Sequence, residues 1–205
     1  LQYWGEDWFI QGGFSDAKAE SEIDFGSLSD GVWAWTAEIG WKPRSMGGDT
    51  GVSVLAFSTD RTETLTRQNG WAISATHDFG KDGRYGVFGR YTKANGGEGI
   101  SEEDRAGALP LSSAAFIGLA LNQPLGRPND QLGVVALYGT PTSYQRQQGF
   151  DAQYGLETFW KFNFGGFFRV APSLQVLRNI NNSTEIVIGI RAKISDDLAQ
   201  RFGRR

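Results

Sequence analysis

The residues from Tyr154 to Val176 read YGLETFWKFNFGGFFRVAPSLQV. One phase of their alternation carries Tyr154, Leu156, Trp160 and Phe162, then, beyond Gly165-Gly166, Phe168, Val170, Pro172, Leu174 and Val176. The other phase carries Gly155, Glu157, Lys161 and Asn163, then Arg169, Ala171, Ser173 and Gln175. Successive side chains of a strand point to opposite faces. A two-residue Gly-Gly connection between two such runs therefore predicts a β-hairpin with an aromatic and aliphatic face and a charged and amide face.

The same period-2 pattern extends over the chain. It predicts ten strands, near residues 6–15, 32–42, 50–58, 70–79, 84–94, 113–123, 130–140, 151–163, 167–177 and 184–194. No segment has a helical period, and no linker divides the chain. The segments between strands alternate in length: SDAKAESEIDFGSLSDG, DRTETLTRQN, NGGEGISEEDRAGALPLS and TPTSYQRQQG are long, whereas PRSMGGD, GKDG, PLGRPND and GG are short. The ninth, NINNS, is short and departs from the series. Long connections at one end and short ones at the other are expected of an up-and-down antiparallel meander whose ends meet different surroundings, as in outer-membrane barrels.

Alternation alone does not say which face is inside. In VWAWTAEIGWK, Trp33, Trp35, Ala37, Ile39 and Trp41 oppose Ala34, Thr36, Glu38, Gly40 and Lys42. In TEIVIGIRAKI, Ile186, Ile188, Ile190 and Ile194 oppose Glu185, Val187, Gly189, Arg191 and Lys193, and in the fifth segment Tyr85, Val87 and Tyr91 oppose Arg84, Gly86 and Arg90. A soluble sandwich turns the apolar face inward; a wide membrane barrel turns it outward to lipid. Two features favour the second. Aromatics sit near both ends of the apolar face (Trp33 and Trp41, Trp71 and Phe79, Tyr85 and Tyr91, Tyr154 and Phe162), as interfacial girdles require. Gly and Ala recur between single charges on the polar face, which leaves volume for water.

Composition agrees with strands: 28 Gly, 13% aromatic residues and no blocks rich in Ala, Leu, Glu and Lys among 205 residues. The absence of Cys excludes disulfides, thiolate metal ligands and a thiol nucleophile. A net charge of -3 without an internal Lys/Arg run argues against a nucleic-acid partner. No window approaches the roughly 20 apolar residues of a membrane helix, and alternating membrane strands would not show in such a window. The chain opens at LQYWGEDWFI, without an initiator Met, a basic segment or an apolar stretch, so the expectation is a removed signal peptide or a portion of a longer chain.

The succession YGLETFWKFNFGGFFRVAPSLQVLRN followed by EIVIGIRAKI resembles the C-terminal region of the carbohydrate-selective porin family of the OprB type. The matching residues are Tyr154, Glu157, Pro172, Gln175, Asn179, Gly189 and Arg191, with GWKP at Gly40 to Pro43 and RQQGFDAQYG upstream; the likeness is strong from Gln145 onward. It implies an all-β fold, a transmembrane antiparallel up-and-down β-barrel of a Gram-negative outer membrane, through which sugars diffuse past a constriction lined by Arg, Glu and other polar side chains. Family barrels have about 16 strands, so this chain would supply a C-terminal part or be a shortened relative: one domain over residues 1–194, then a polar tail, 195–205, where such barrels usually end on an aromatic residue.

The pore-lining residues expected on this reading are Glu38, Arg84, Arg90, Glu157, Lys161, Arg169, Gln175, Glu185 and Arg191. Carboxylates, amides and guanidinium groups offer acceptors and donors to sugar hydroxyls, and fixed charge biases which solutes pass. The same residues would otherwise brace a barrel wall or cover a solvated sheet. Permeating sugars, outer-membrane lipid and lipopolysaccharide are the expected partners, with a homotrimer or other porin subunits left open; no cofactor, metal or nucleic acid is implied. The lone His77 supports neither a metal site nor a triad and is read as interfacial. Glu102, Glu103 and Asp104 lack the spacing of a calcium loop and are read as a solvated extracellular loop, with loop 95–112 as one that could instead narrow the lumen. A soluble carbohydrate-binding β protein with Trp platforms, or a barrel enzyme with a rim nucleophile, are the competing readings; a single His argues against the latter.

Overall fold

The computed structural model describes residues 1–16, 32–43, 50–63, 66–96, 111–127, 129–164 and 168–194. The Gly165-Gly166 turn, most of loop 95–112 with Glu102, Glu103 and Asp104, and the tail 195–205 lie outside them. Eleven antiparallel strands form one sheet in strict chain order. They are β1 (Gln2–Trp4), β2 (Trp8–Asp16), β3 (Trp33–Trp41), β4 (Gly51–Thr59), β5 (Gln68–Phe79), β6 (Tyr85–Gly96), β7 (Leu111–Asn122), β8 (Gln131–Pro141), β9 (Gln153–Phe164), β10 (Phe168–Arg178) and β11 (Thr184–Ile194). Ten correspond to the segments the alternation predicts. The eleventh is β1, a three-residue strand too short to show a period; it pairs Trp4 with Phe9 and Tyr3 with Ile10. β1 and β11 are the edges and are not paired with each other among the described residues.

Every second connection lies at the same end. At one end the connections hold 16, 8, 14, 11 and 5 residues, and at the other 3, 9, 5, 8 and 3. The short ones rely on backbone that few residues adopt: between β5 and β6, Gly80, Asp82 and Gly83 all have positive φ, at 82°, 57° and 65°. Contrary to the sequence reading, the connection between β8 and β9 contains a one-turn helix, α1 (Ser143–Gln147). Its cap is Thr142, whose hydroxyl accepts from the Gln145 backbone N–H at 3.3 Å, so the sequence Thr-Ser-Tyr-Gln carried an unread N-terminal signal.

The faces sort as the alternation requires. Through the registers of β2 to β4, Trp8, Trp41 and Val52 lie in one row and Ile10, Ile39 and Val54 in the next. This face is left open: Ile117 is 61% exposed, Leu119 62%, Ile186 70% and Ile188 80%. Apart from the prolines at strand ends and turns, Pro43, Pro124 and Pro141, only Phe9, Ala72, Ala120 and Val135 form a buried apolar set among the described residues. The chain exposes 13997 Å², against about 9,500 Å² for a compact monomer of this mass. A soluble sandwich would cover its apolar face with a second layer; among the described residues this single sheet has none.

Rings cluster near the strand ends of the same face. Phe14 and Trp33 lie 5.6 Å apart, Trp71 and Tyr91 5.4 Å, and Tyr138 and Tyr154 5.4 Å at the long-loop end. At the short-turn end, Phe79 stacks on Tyr85 at 5.7 Å, and Trp160, Phe162, Phe164 and Phe168 form a continuous row. Ile, Val and Leu occupy the band between. His77 belongs to this face: its ring stacks on Phe79 at 6.2 Å, and its Nδ1 lies 3.1 Å from the Thr50 hydroxyl.

The opposite face corrects one expectation. Glycine there does not simply leave room for water, because phenylalanine rings from neighbouring strands lie over several of these positions. Phe9 covers Gly40, Phe57 covers Gly70, Phe88 covers Gly118 and Phe159 covers Gly133, each so closely that a Cβ on the glycine would collide with the ring. These four rings thus lie along the wall, whereas Phe116 on the same face is set edge-on to Phe88, at 62°.

Candidate channel wall

Eight of the nine expected lining residues share one face. Gln11 pairs with Glu38, which pairs with Leu55; Ser74 pairs with Arg90; Lys161 pairs with Gln131; and Glu157 pairs with both Val135 and Gln175. Across the last hairpin, Arg169 faces Lys193, Ala171 faces Arg191 and Leu177 faces Glu185. Arg84 is the exception. It precedes β6 with helical dihedrals and belongs to the tight turn, where its carbonyl accepts from the Asn122 backbone N–H at 2.8 Å.

Register fixes the face; curvature decides which residues meet. Arg90 on β6 and Gln175 on β10 are four strands apart, about 19 Å in a flat sheet. Both nevertheless line one hollow of about 340 Å³ with Glu157, Phe116 and Leu137, so the polar face is concave. A second hollow of about 340 Å³ is lined by Glu157, Lys161, Gln175 and Arg191. A third, about 460 Å³, reaches from Trp4 on β1 to Phe116 on β7 and includes Glu38 and Arg90. Glu38, Arg90, Glu157, Lys161, Gln175 and Arg191 therefore line a connected series of hollows. Arg169 lies towards the short-turn end, where it lines a hollow with Lys161 and Asp130. Glu185 lies at the opposite end of β11 and lines none of these.

A hydrogen-bond network at the short-turn end, which the sequence reading did not identify, holds these side chains. Lys161 donates to Gln131 Oε1 at 2.7 Å, Gln131 Nε2 donates to Asn122 Oδ1 at 2.9 Å, and Asn122 Nδ2 donates to the Gly83 carbonyl at 2.8 Å. Arg169 Nε donates to Asn163 Oδ1 at 3.0 Å. Asp130, in the turn before β8, anchors the set. It is 2% exposed, accepts the Asn163 backbone N–H at 2.8 Å and accepts from Arg127 Nε at 2.6 Å. The Asn163 N–H, aided by Arg127, holds this carboxyl below its ordinary value against the opposing effect of burial. Arg127 also lies 5.8 Å from the ring centres of Phe162 and Phe164, joining the turn to the aromatic row outside. The sequence signal was RPND, a turn followed directly by a strand.

A single-layer sheet with one apolar, ring-bordered face and one concave polar face defines a segment of transmembrane β-barrel of the porin type. The family model of the carbohydrate-selective porins, OprB family, matches residues 42–195, and the chain belongs to that family. Among solved structures, OprB of Pseudomonas putida superposes with a TM-score of 0.69 at 13% identity, over 94% of this chain and 57% of that one. At that identity the likeness shows the fold alone, and this chain spans little more than half the length of that protein. No curated protein matches the chain.

Proposed function

We propose that this chain forms part of the wall of an outer-membrane channel through which sugars diffuse passively, without catalysis. The observation that carries the reading is the concave polar face, whose hollows join Glu38 and Arg90 to Glu157, Lys161, Gln175 and Arg191. Together with Arg169 and Glu185 on the same face, these groups offer carboxylate, amide, ammonium and guanidinium contacts to hydroxyls. Arg84 stands at the rim. Family membership and the two aromatic borders support a bilayer location with lipid and lipopolysaccharide around the apolar face.

The reading also requires strands beyond those described. Backbone groups on the open edges of β1 and β11 have no water to bond within hydrocarbon, where each unsatisfied group costs several kcal/mol. Eleven strands also fall short of the roughly 16 that leave an aqueous bore. Residues 1–194 are accordingly part of one larger barrel domain. The test is single-channel conductance of the complete barrel, purified and inserted in planar bilayers, paired with swelling of loaded liposomes in glucose or maltose. Stable steps partly blocked by sugar, with swelling, support the channel. Heat-resistant, inserted protein that gives neither overturns it.

A further inference from the structure

The hollow beside β1 differs from the rest of the wall in having an exposed indole. Trp4 is 59% exposed, and its register with Phe9 puts it on the concave face, away from the outward tryptophans. It stacks on the Phe9 ring at 4.8 Å with 25° between the planes. Phe9 itself is 6% exposed and pressed over Gly40, so the lower ring is fixed and the upper one is held flat upon it. Beside this platform, Gln11 Nε2 donates to Glu38 Oε2 at 2.5 Å, which orients the carboxylate and leaves its other oxygen to accept; the Gln11 amide oxygen accepts from Gln2 Nε2 at 3.5 Å and keeps a second lone pair. The Arg90 guanidinium lines the same hollow and supplies donors.

We propose that Trp4, Gln11, Glu38 and Arg90 form a binding subsite for a pyranose sugar. A pyranose has one face of C–H bonds and a rim of hydroxyls. The flat indole matches the first, and acceptors from Glu38 and Gln11 with donors from Arg90 match the second. At about 460 Å³ the hollow falls in the ordinary range for small-molecule sites, about 300–1,000 Å³. Lys42 lines the hollow as well, so Arg90 and Lys42 outnumber Glu38 by one charge, and the match to a pyranose rests on the indole and the hydroxyl contacts and not on charge balance. The inference rests on the sugar-channel reading and adds to it a place where the sugar pauses.

The test is saturation-transfer NMR of glucose and maltose with detergent-solubilised protein, run beside liposome swelling. Trp4→Ala should weaken sugar affinity about two- to tenfold, the range set by one aromatic contact, while Trp4→Phe should retain most of it. Trp35→Ala, which removes an outward indole, should leave it unchanged. Equal affinity in wild type and Trp4→Ala, with sugar-driven swelling intact, overturns the subsite and spares the channel. Trp4-dependent binding without swelling upholds the subsite and overturns the channel.

Discussion

Placing arginine on the outward face tests the orientation of the whole sheet. Ile117 is the seventh of the twelve residues of β7 and is 61% exposed. With a rise of about 3.3 Å per residue and a tilt of about 40°, β7 spans about 30 Å, which puts Ile117 about 15 Å from either rim. At that depth an arginine costs about 2–4 kcal/mol, or about 30- to 900-fold in the folding equilibrium. Thr36→Arg is the control, since Thr36 is exposed on the concave face between Gly13 and Phe57 and should change stability by no more than about 0.5 kcal/mol. Urea unfolding in phosphatidylcholine vesicles, followed by heat-dependent gel mobility, measures both. In water an exposed Ile117 would tolerate arginine readily. Equal midpoints for the two variants would therefore refute the claim that lipid covers this face.

Gly118→Val should lower the urea midpoint by the equivalent of about 1–3 kcal/mol, because its Cβ would meet the Phe88 ring; adding Phe88→Ala should recover part of the loss. Exchanging Lys161 and Arg191 for Gln removes two cations from one hollow, so reversal potentials in a KCl gradient should move toward cation preference; an unchanged potential would place these residues off the conduction path. The lowered carboxyl of Asp130 gives stability that is complete above its ordinary value of 3.8 and is lost as pH falls from there through the lower folded value. Urea midpoints measured from neutral pH to below 3.8 should drop in wild type, and Asp130→Asn should flatten that part of the curve while lowering the neutral midpoint.

Strand positions were legible because a membrane strand obeys one strong local rule, the parity of its side chains. TEIVIGIRAKI shows it plainly, and β11 follows it from Thr184 to Ile194. β1 was not legible because its three residues are held by β2, through Trp4 with Phe9, and not by any pattern of their own. The polar face was read too simply for a related reason. Phe57, Phe88 and Phe159 break its polarity, yet each fills the gap left by a glycine on the adjacent strand, and the match between ring and glycine exists only once the register is known.

The site divides in the same way. Parity put Glu38, Arg90, Glu157, Lys161, Arg169, Gln175, Glu185 and Arg191 on one face, but it cannot bring Arg90 near Gln175, which depends on curvature summed over four strand pairings. Arg84 has the right parity and the wrong backbone, since the β5–β6 turn with Asp82 and Gly83 in left-handed conformation takes it out of the strand. The aromatic-over-glycine pairs then bear on what the curved wall can do. Rings lying flat narrow the space less than upright side chains and resist displacement, since each is seated where only glycine fits. The charged groups between them are consequently held on a stiff surface, with the Lys161–Gln131–Asn122–Gly83 chain fixing one end. A wall of this kind keeps donors and acceptors at constant spacing along a path, which suits repeated weak contacts with a passing solute better than one tight site.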